Sequence, residues 1–218
     1  RRAARRGGGS ETGEMWRPVR HDADMTLVVE LLPGAPFPGP EILQALDEPP
    51  DLILSGVNRG ANLGDDITYS GTVSAAIEGA LAGVRSIALS QVYSREPLDD
   101  EFGAARSWGA KVIEPLLDAP FGKRALVNVN FPPRAPDAVQ GIRVVRQGFH
   151  DYSRGSIVEG TDPRGHRYFW FGLHAIEHTL DHGTDLEAID EGFVAVTPLQ
   201  LDLTHYSSID TLADRFAD

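Results

Sequence analysis

The most constraining feature is the run Asp51-Leu52-Ile53-Leu54-Ser55-Gly56-Val57-Asn58, an apolar stretch bounded by turn-forming residues. A strand buried on both faces of a parallel sheet has this appearance. A loop of Gly, Asn and Asp follows from Arg59 to Asp66. Ser70-Gly71-Thr72 then opens a helical segment, Val73 to Ala82, whose alanines suit close packing on a sheet. Arg85 to Ser90 reads as the next strand. Strand, loop, helix and strand make a βαβ unit, for which parallel pairing and a right-handed crossover follow from general rules. Phe102 to Leu117 reads as a further helix and Ala125 to Asn130 as a further strand.

Beyond Pro132-Pro133 the pattern changes. Gly141 to Arg146 and Tyr168 to Gly172 are short alternating or aromatic runs of a β-rich appendage. Gly192 to Thr197 is another strand candidate, and a polar helix is expected from about Ser208 to Ala217. Before Asp51, Thr26 to Leu32 suits a short strand and Glu41 to Leu46 a brief helix, with a proline-rich run between them that can hold neither. The basic, glycine-rich opening from Arg1 to Ser10 reads as a disordered tail, and the chain does not begin with Met. The first 26 residues are therefore expected to be a leader, a fragment boundary or a misread start.

Composition removes several classes. With 41% hydrophobic and 24% charged residues the chain can build a core, which excludes a disordered or coiled-coil class. A net charge of −12 argues against a nucleic-acid polymer as partner. It also makes a bound cation the natural device for an anionic substrate. The absence of cysteine excludes disulfides, thiolate metal sites and cysteine nucleophiles. No apolar run is long enough to span a bilayer, and the default expectation is a cytoplasmic protein without membrane contact.

In open parallel sheets ligands bind beyond the carboxyl ends of strands, which puts Asn58 on the correct side. Its carboxamide oxygen is a hard, neutral ligand that suits Mg²⁺ or Mn²⁺; an Asn in such a loop is equally a turn former. Ser70, Gly71 and Thr72 offer hydroxyls and free N–H groups to an anion, or form an ordinary helix cap. Asp65-Asp66 would be chosen as a metal pair on spacing alone, whereas Asp22 and Asp24 precede a strand and lie at the wrong end. His174, His178 and His182 recur at helical spacing, but Gly172 and Gly183 favour a loop with exposed histidines. Trp16, Trp108 and Trp170 read as packing residues.

The run from Pro50 through Asp51-Leu52-Ile53-Leu54-Ser55-Gly56-Val57-Asn58-Arg59-Gly60-Ala61-Asn62-Leu63-Gly64-Asp65-Asp66, with Tyr69-Ser70-Gly71-Thr72-Val73 and Glu78-Gly79, closely resembles the SurE family of survival-protein nucleotidases. The resemblance continues in Leu126 to Asn130, Gly141 to Arg146, Asp162 to Gly165, Gly183-Thr184-Asp185 and Thr197 to Thr204. It implies a Rossmann-like α/β fold, a mostly parallel sheet flanked by helices. A β-hairpin extension and a C-terminal segment exchanged between protomers of a homodimer or homotetramer are implied as well. The domain would run from 50 to 218, with its core over about 50–135 and its extension over about 136–218, behind an atypical leader of residues 1–49.

The implied activity is metal-dependent hydrolysis of nucleoside 5′- and 3′-monophosphates, with Mg²⁺ or Mn²⁺. Asn58 is the counterpart of a family metal ligand, and Ser70, Gly71 and Thr72 would hold the phosphoryl oxygens. The family's adjacent Asp pair belongs to an Asn-Asp-Asp-Gly string that this sequence does not contain. The alternative expectation is therefore an impaired, truncated chain that only binds phosphate or pairs with other subunits. No residue is assigned as catalytic.

Overall fold

The computed structural model describes residues 16–20, 27–31, 50–94, 98–120, 122–150, 156–172 and 183–217. Its main sheet has seven strands in the order β1-β2-β3-β4-β5-β9-β6. They are β1 (Trp16–Arg20), β2 (Leu27–Leu31), β3 (Leu52–Arg59), β4 (Arg85–Gln91), β5 (Ala125–Phe131), β6 (Ile142–Val144) and β9 (Val194–Gln200). β2, β3, β4 and β5 pair in parallel, β9 runs antiparallel to β5, and β6 is parallel to β9. β7 (Ser156–Thr161) and β8 (Arg167–Gly172) form a separate antiparallel hairpin. The α/β, mostly parallel architecture is the expected one.

Helix α1 (Gly71–Leu81) joins β3 to β4, and α2 (Gly103–Leu117) joins β4 to β5. Alternation along the strands shows which face each helix covers. Val73, Ala76 and Ala80 of α1 pack on Ala88 and Leu126. Ala104, Ala105 and Val112 of α2 pack on Ile87, Leu89, Val127 and Val129. The two helices therefore lie on opposite faces of the sheet. β3, β4 and β5 are consecutive neighbours, so successive crossovers on opposite faces have opposite hands, and one of the two departs from the right-handed rule.

α1 comes very near the sheet at Gly79, where a Cβ would strike Ser86 Oγ and lie 2.5 Å from Ile53 Cδ1. Only glycine permits that approach. A helix that sequence reading did not anticipate, α3 (Asp185–Glu191), lies on the α1 side, with Leu186, Ala188 and Ile189 packed against Leu63, Val145 and Ala195. It starts at Thr184, whose hydroxyl accepts from Glu187 N, while Glu187 Oε2 accepts from Gly183 N. That reciprocal arrangement is a form of the capping box. The polar helix expected over 208–217 is shorter, α4 (Ile209–Ala213).

In the opening segment, Trp16–Arg20 is a strand paired antiparallel with β2, an element that sequence reading did not anticipate. The brief helix expected at Glu41 to Leu46 and the triplet His174, His178 and His182 fall outside the described residues.

Candidate functional site

The site begins at an irregularity in β3. Ser55 pairs with Ala88 but Asn58 pairs with Ser90, so β3 carries one more residue than β4 over this stretch. This is a bulge, and bulges re-aim side chains. Gly56 makes it possible: its φ is +125°, and a Cβ there would run into the Leu89 carbonyl oxygen. The half-buried Asn58 side chain donates from Nδ2 to the Gly60 carbonyl at 3.1 Å. Its Oδ1 is thereby oriented as an acceptor.

The loop after β3 is tied down by a buried amide cluster. Asn130 Oδ1 accepts from Asn62 N at 2.9 Å, and Asn130 Nδ2 donates to the Asn62 carbonyl at 2.9 Å. Asn128 Nδ2 donates to the same carbonyl at 2.8 Å, and Asn62 Nδ2 donates to Ser90 Oγ at 2.7 Å. Asn128, Asn130 and Ser90 are fully buried. A dry polar group must be paired, and here the pairing fixes the loop backbone in one place.

From Gly64 to Tyr69 the chain makes a 3₁₀ turn, then Ser70 caps α1. Ser70 Oγ accepts from Val73 N at 3.1 Å, and its carbonyl accepts from both Ser74 N and Ser74 Oγ. The capping reading of Ser70 is thus satisfied, yet its hydroxyl hydrogen stays available to a ligand. Gly71 and Thr72 follow, with N–H groups that have no acceptor within a helix. Gly71 is exposed, and nothing lies within 4 Å of where its Cβ would be. Space, free donors and the positive end of a helix dipole therefore coincide at Ser70-Gly71-Thr72.

Asp65 and Asp66 are engaged otherwise. Asp65 Oδ2 accepts from His150 N at 2.9 Å, and Asp66 Oδ2 lies 3.4 Å from His150 Nε2. Among the described residues no group of three His, Cys, Asp or Glu side chains could hold a metal ion. Asn58 alone does not make a cation site. Arg59, next to Asn58, is held by Glu101 at 2.7 and 2.9 Å and lies over the Tyr93 ring. The pair raises the Arg59 pKa and lowers that of Glu101, in both cases chiefly through the hydrogen bond between them. Trp108 is a packing residue as expected, donating from Nε1 to the Pro136 carbonyl.

A mostly parallel α/β sheet with an open, donor-rich helix start beyond one strand is an arrangement able to receive an anion. The family model for survival protein SurE matches residues 40–154, and the chain belongs to the SurE family. A 5′-nucleotidase SurE of Erythrobacter litoralis is 72% identical over 170 residues, covering 78% of this chain and 68% of that protein. One of Rhizorhabdus wittichii is 60% identical over 165 residues, covering 75% and 65%. The crystal structure of the SurE protein from Aquifex aeolicus matches with a TM-score of 0.67 at 36% identity, over 81% of this chain and 68% of that one. The chain thus spans about two thirds of the length of these relatives.

Proposed function

We propose that the chain is a phosphomonoesterase that hydrolyses nucleoside 5′- and 3′-monophosphates to nucleoside and phosphate. The observation that carries this reading is the unobstructed Gly71 at the start of α1, behind a loop held by the buried amide cluster. The relatives' shared name, 5′-nucleotidase SurE, supports the substrate class. In this reading the N–H groups of Gly71 and Thr72 and the Ser70 hydroxyl hold phosphoryl oxygens. They strengthen as charge develops on those oxygens, because they are already oriented. A divalent cation, Mg²⁺ or Mn²⁺, would polarise the phosphoryl group when bound. Asn58 Oδ1 would be one neutral ligand to it.

A second reading, in which the chain binds phosphate without turnover, rests on the same open helix start. A homodimer or homotetramer is supported by the apolar side chains left open on the hairpin and near the C-terminus, such as Trp170 at 66%, Leu203 at 93% and Phe216 at 84% exposure. A segment exchanged between protomers, a cytoplasmic location and a domain of residues 50–218 belong to the same proposal. No described helix is long and apolar enough to cross a membrane.

Gly71→Ala tests the cradle. The methyl group meets no protein atom within 4 Å, so the urea midpoint should hold or rise. Phosphate release from adenosine monophosphate with Mn²⁺, and competition by inorganic phosphate, should each weaken by about tenfold, the equivalent of one lost interaction of about 1.4 kcal/mol. Unchanged turnover in Gly71→Ala would remove the cradle from the mechanism. Phosphate binding that depends on Gly71, without turnover in the parent chain, would establish the second reading.

A further inference from the structure

The motif Gly183-Thr184-Asp185 stands far along the chain from the cradle and carries a carboxylate. Asp185 is fully buried. Its Oδ2 accepts from Gly64 N at 2.9 Å, and its Oδ1 accepts from Gly148 N at 2.8 Å and from Leu186 N at 3.0 Å. Around the same point Gln147 Nε2 donates to the Gly64 carbonyl at 3.0 Å and His150 N donates to Asp65 Oδ2. Three segments that are remote in sequence meet there: the turn leading into Ser70, the stretch 147–150, and the start of α3.

We propose that Asp185 is a positioning residue for the phosphate cradle, fixing the turn that delivers Ser70, Gly71 and Thr72 through its bond to Gly64 N. The inference rests on the cradle reading given above. Burying a carboxylate costs more than burying an apolar side chain of like size, so this one is a poor choice for stability alone. Its chemistry suits the location because an ionised carboxylate only accepts, and all three groups that face it are backbone donors. No other side chain of that size accepts at both ends.

The donor arrangement makes the consequence of Asp185→Asn specific. One end of a carboxamide must be NH₂. The end facing both Gly148 N and Leu186 N keeps the oxygen, because it serves two donors. The NH₂ then faces Gly64 N–H, donor against donor, and only the link to the turn is lost.

Hydrogen exchange is therefore measured on peptides covering 62–72 and 146–150, alongside steady-state hydrolysis of adenosine monophosphate with Mn²⁺ and competition by inorganic phosphate. Asp185→Asn should speed exchange over 62–72 and spare 146–150. Its KM and its inhibition constant for phosphate should rise about tenfold. Val194→Ala, which opens the core on the opposite face, is the control: it should lower the urea midpoint without either effect. Gln147→Ala trims a half-buried partner of the same Gly64 and should shift both readouts in the same direction, about threefold, which keeps the test intact if Asp185→Asn does not fold. Unchanged exchange over 62–72, or an equal rise in Val194→Ala, would overturn the proposal. If the parent chain neither hydrolyses the nucleotide nor binds phosphate, the cradle reading fails and the positioning role falls with it. Faster exchange over 62–72 would then show only that Asp185 holds the turn.

Discussion

The two faces of the central strands are both dry but differ in how much of their surface is polar. Toward α2, β4 and β5 present Ile87, Leu89, Val127, Val129 and Phe131, with one amide, Gln91, at the end of β4; toward α1 and the loop after β3, they present Ser86, Ser90, Asn128 and Asn130 together with Ala88 and Leu126. Phe131, Ser90 and Asn130 are all 0% exposed. The apolar face gains free energy from burial in any orientation that packs. The polar face gains little net, because its hydrogen bonds replace bonds to water, but each unmade bond is costly. One face therefore supplies mainly stability, and the other supplies position as well.

That division is broken most directly on the apolar side. Phe131→Ala should cost about 3–5 kcal/mol by urea denaturation, through lost burial and the cavity left behind. The KM of the protein that remains folded should not move. On the polar side, Asn130→Ala removes both side-chain bonds to the Asn62 backbone and should cost about 1–3 kcal/mol. Its effect on phosphate affinity should nevertheless exceed that of Phe131→Ala. If the phenylalanine variant shifts KM as much as the asparagine variant does, the two faces are one coupled unit.

The same contrast explains what could be read in advance. The βαβ unit was legible because apolar runs report strands buried on both faces, and Asn58, Ser70, Gly71 and Thr72 stand beside those runs. The supporting residues were hidden by distance along the chain: Asn130 and Asp185 reach Asn62 and Gly64 across 68 and 121 positions. Local pattern carries no record of such a pairing. One signal was present, since Asn128 and Asn130 alternate with valines in a strand with no open face, and a polar side chain there must have a buried partner. α3 was missed because Asp185-Leu186-Glu187-Ala188-Ile189-Asp190-Glu191 is short and acidic, and its helicity rests on the cap at Thr184 and on packing against Leu63 and Val145. The opposite hands of the two crossovers were not legible at all, because hydrophobic alternation shows that a face is covered but not which helix covers it.

The smallest expected effect lies where directional bonds are exposed to water. After β9, Asp202 accepts from Thr204 N at 2.9 Å and from the Tyr206 hydroxyl. Bonding by the Thr204 hydroxyl, then by that of Tyr206, holds the Asp202 carboxyl down at about 2, against an ordinary 3.8. A folded pKa below the unfolded one adds stability that is fully present above 3.8 and is lost as the pH falls toward about 2. The urea midpoint of Asp202→Asn should therefore sit slightly below the parent's at neutral pH and converge with it toward pH 2. The gap should be far smaller than the one left by Asn130→Ala, since water can replace the partners of an exposed carboxylate but not those of a buried amide. A gap at neutral pH as large as that of Asn130→Ala would mean that burial is not what separates bonds that position the chain from bonds that merely decorate it.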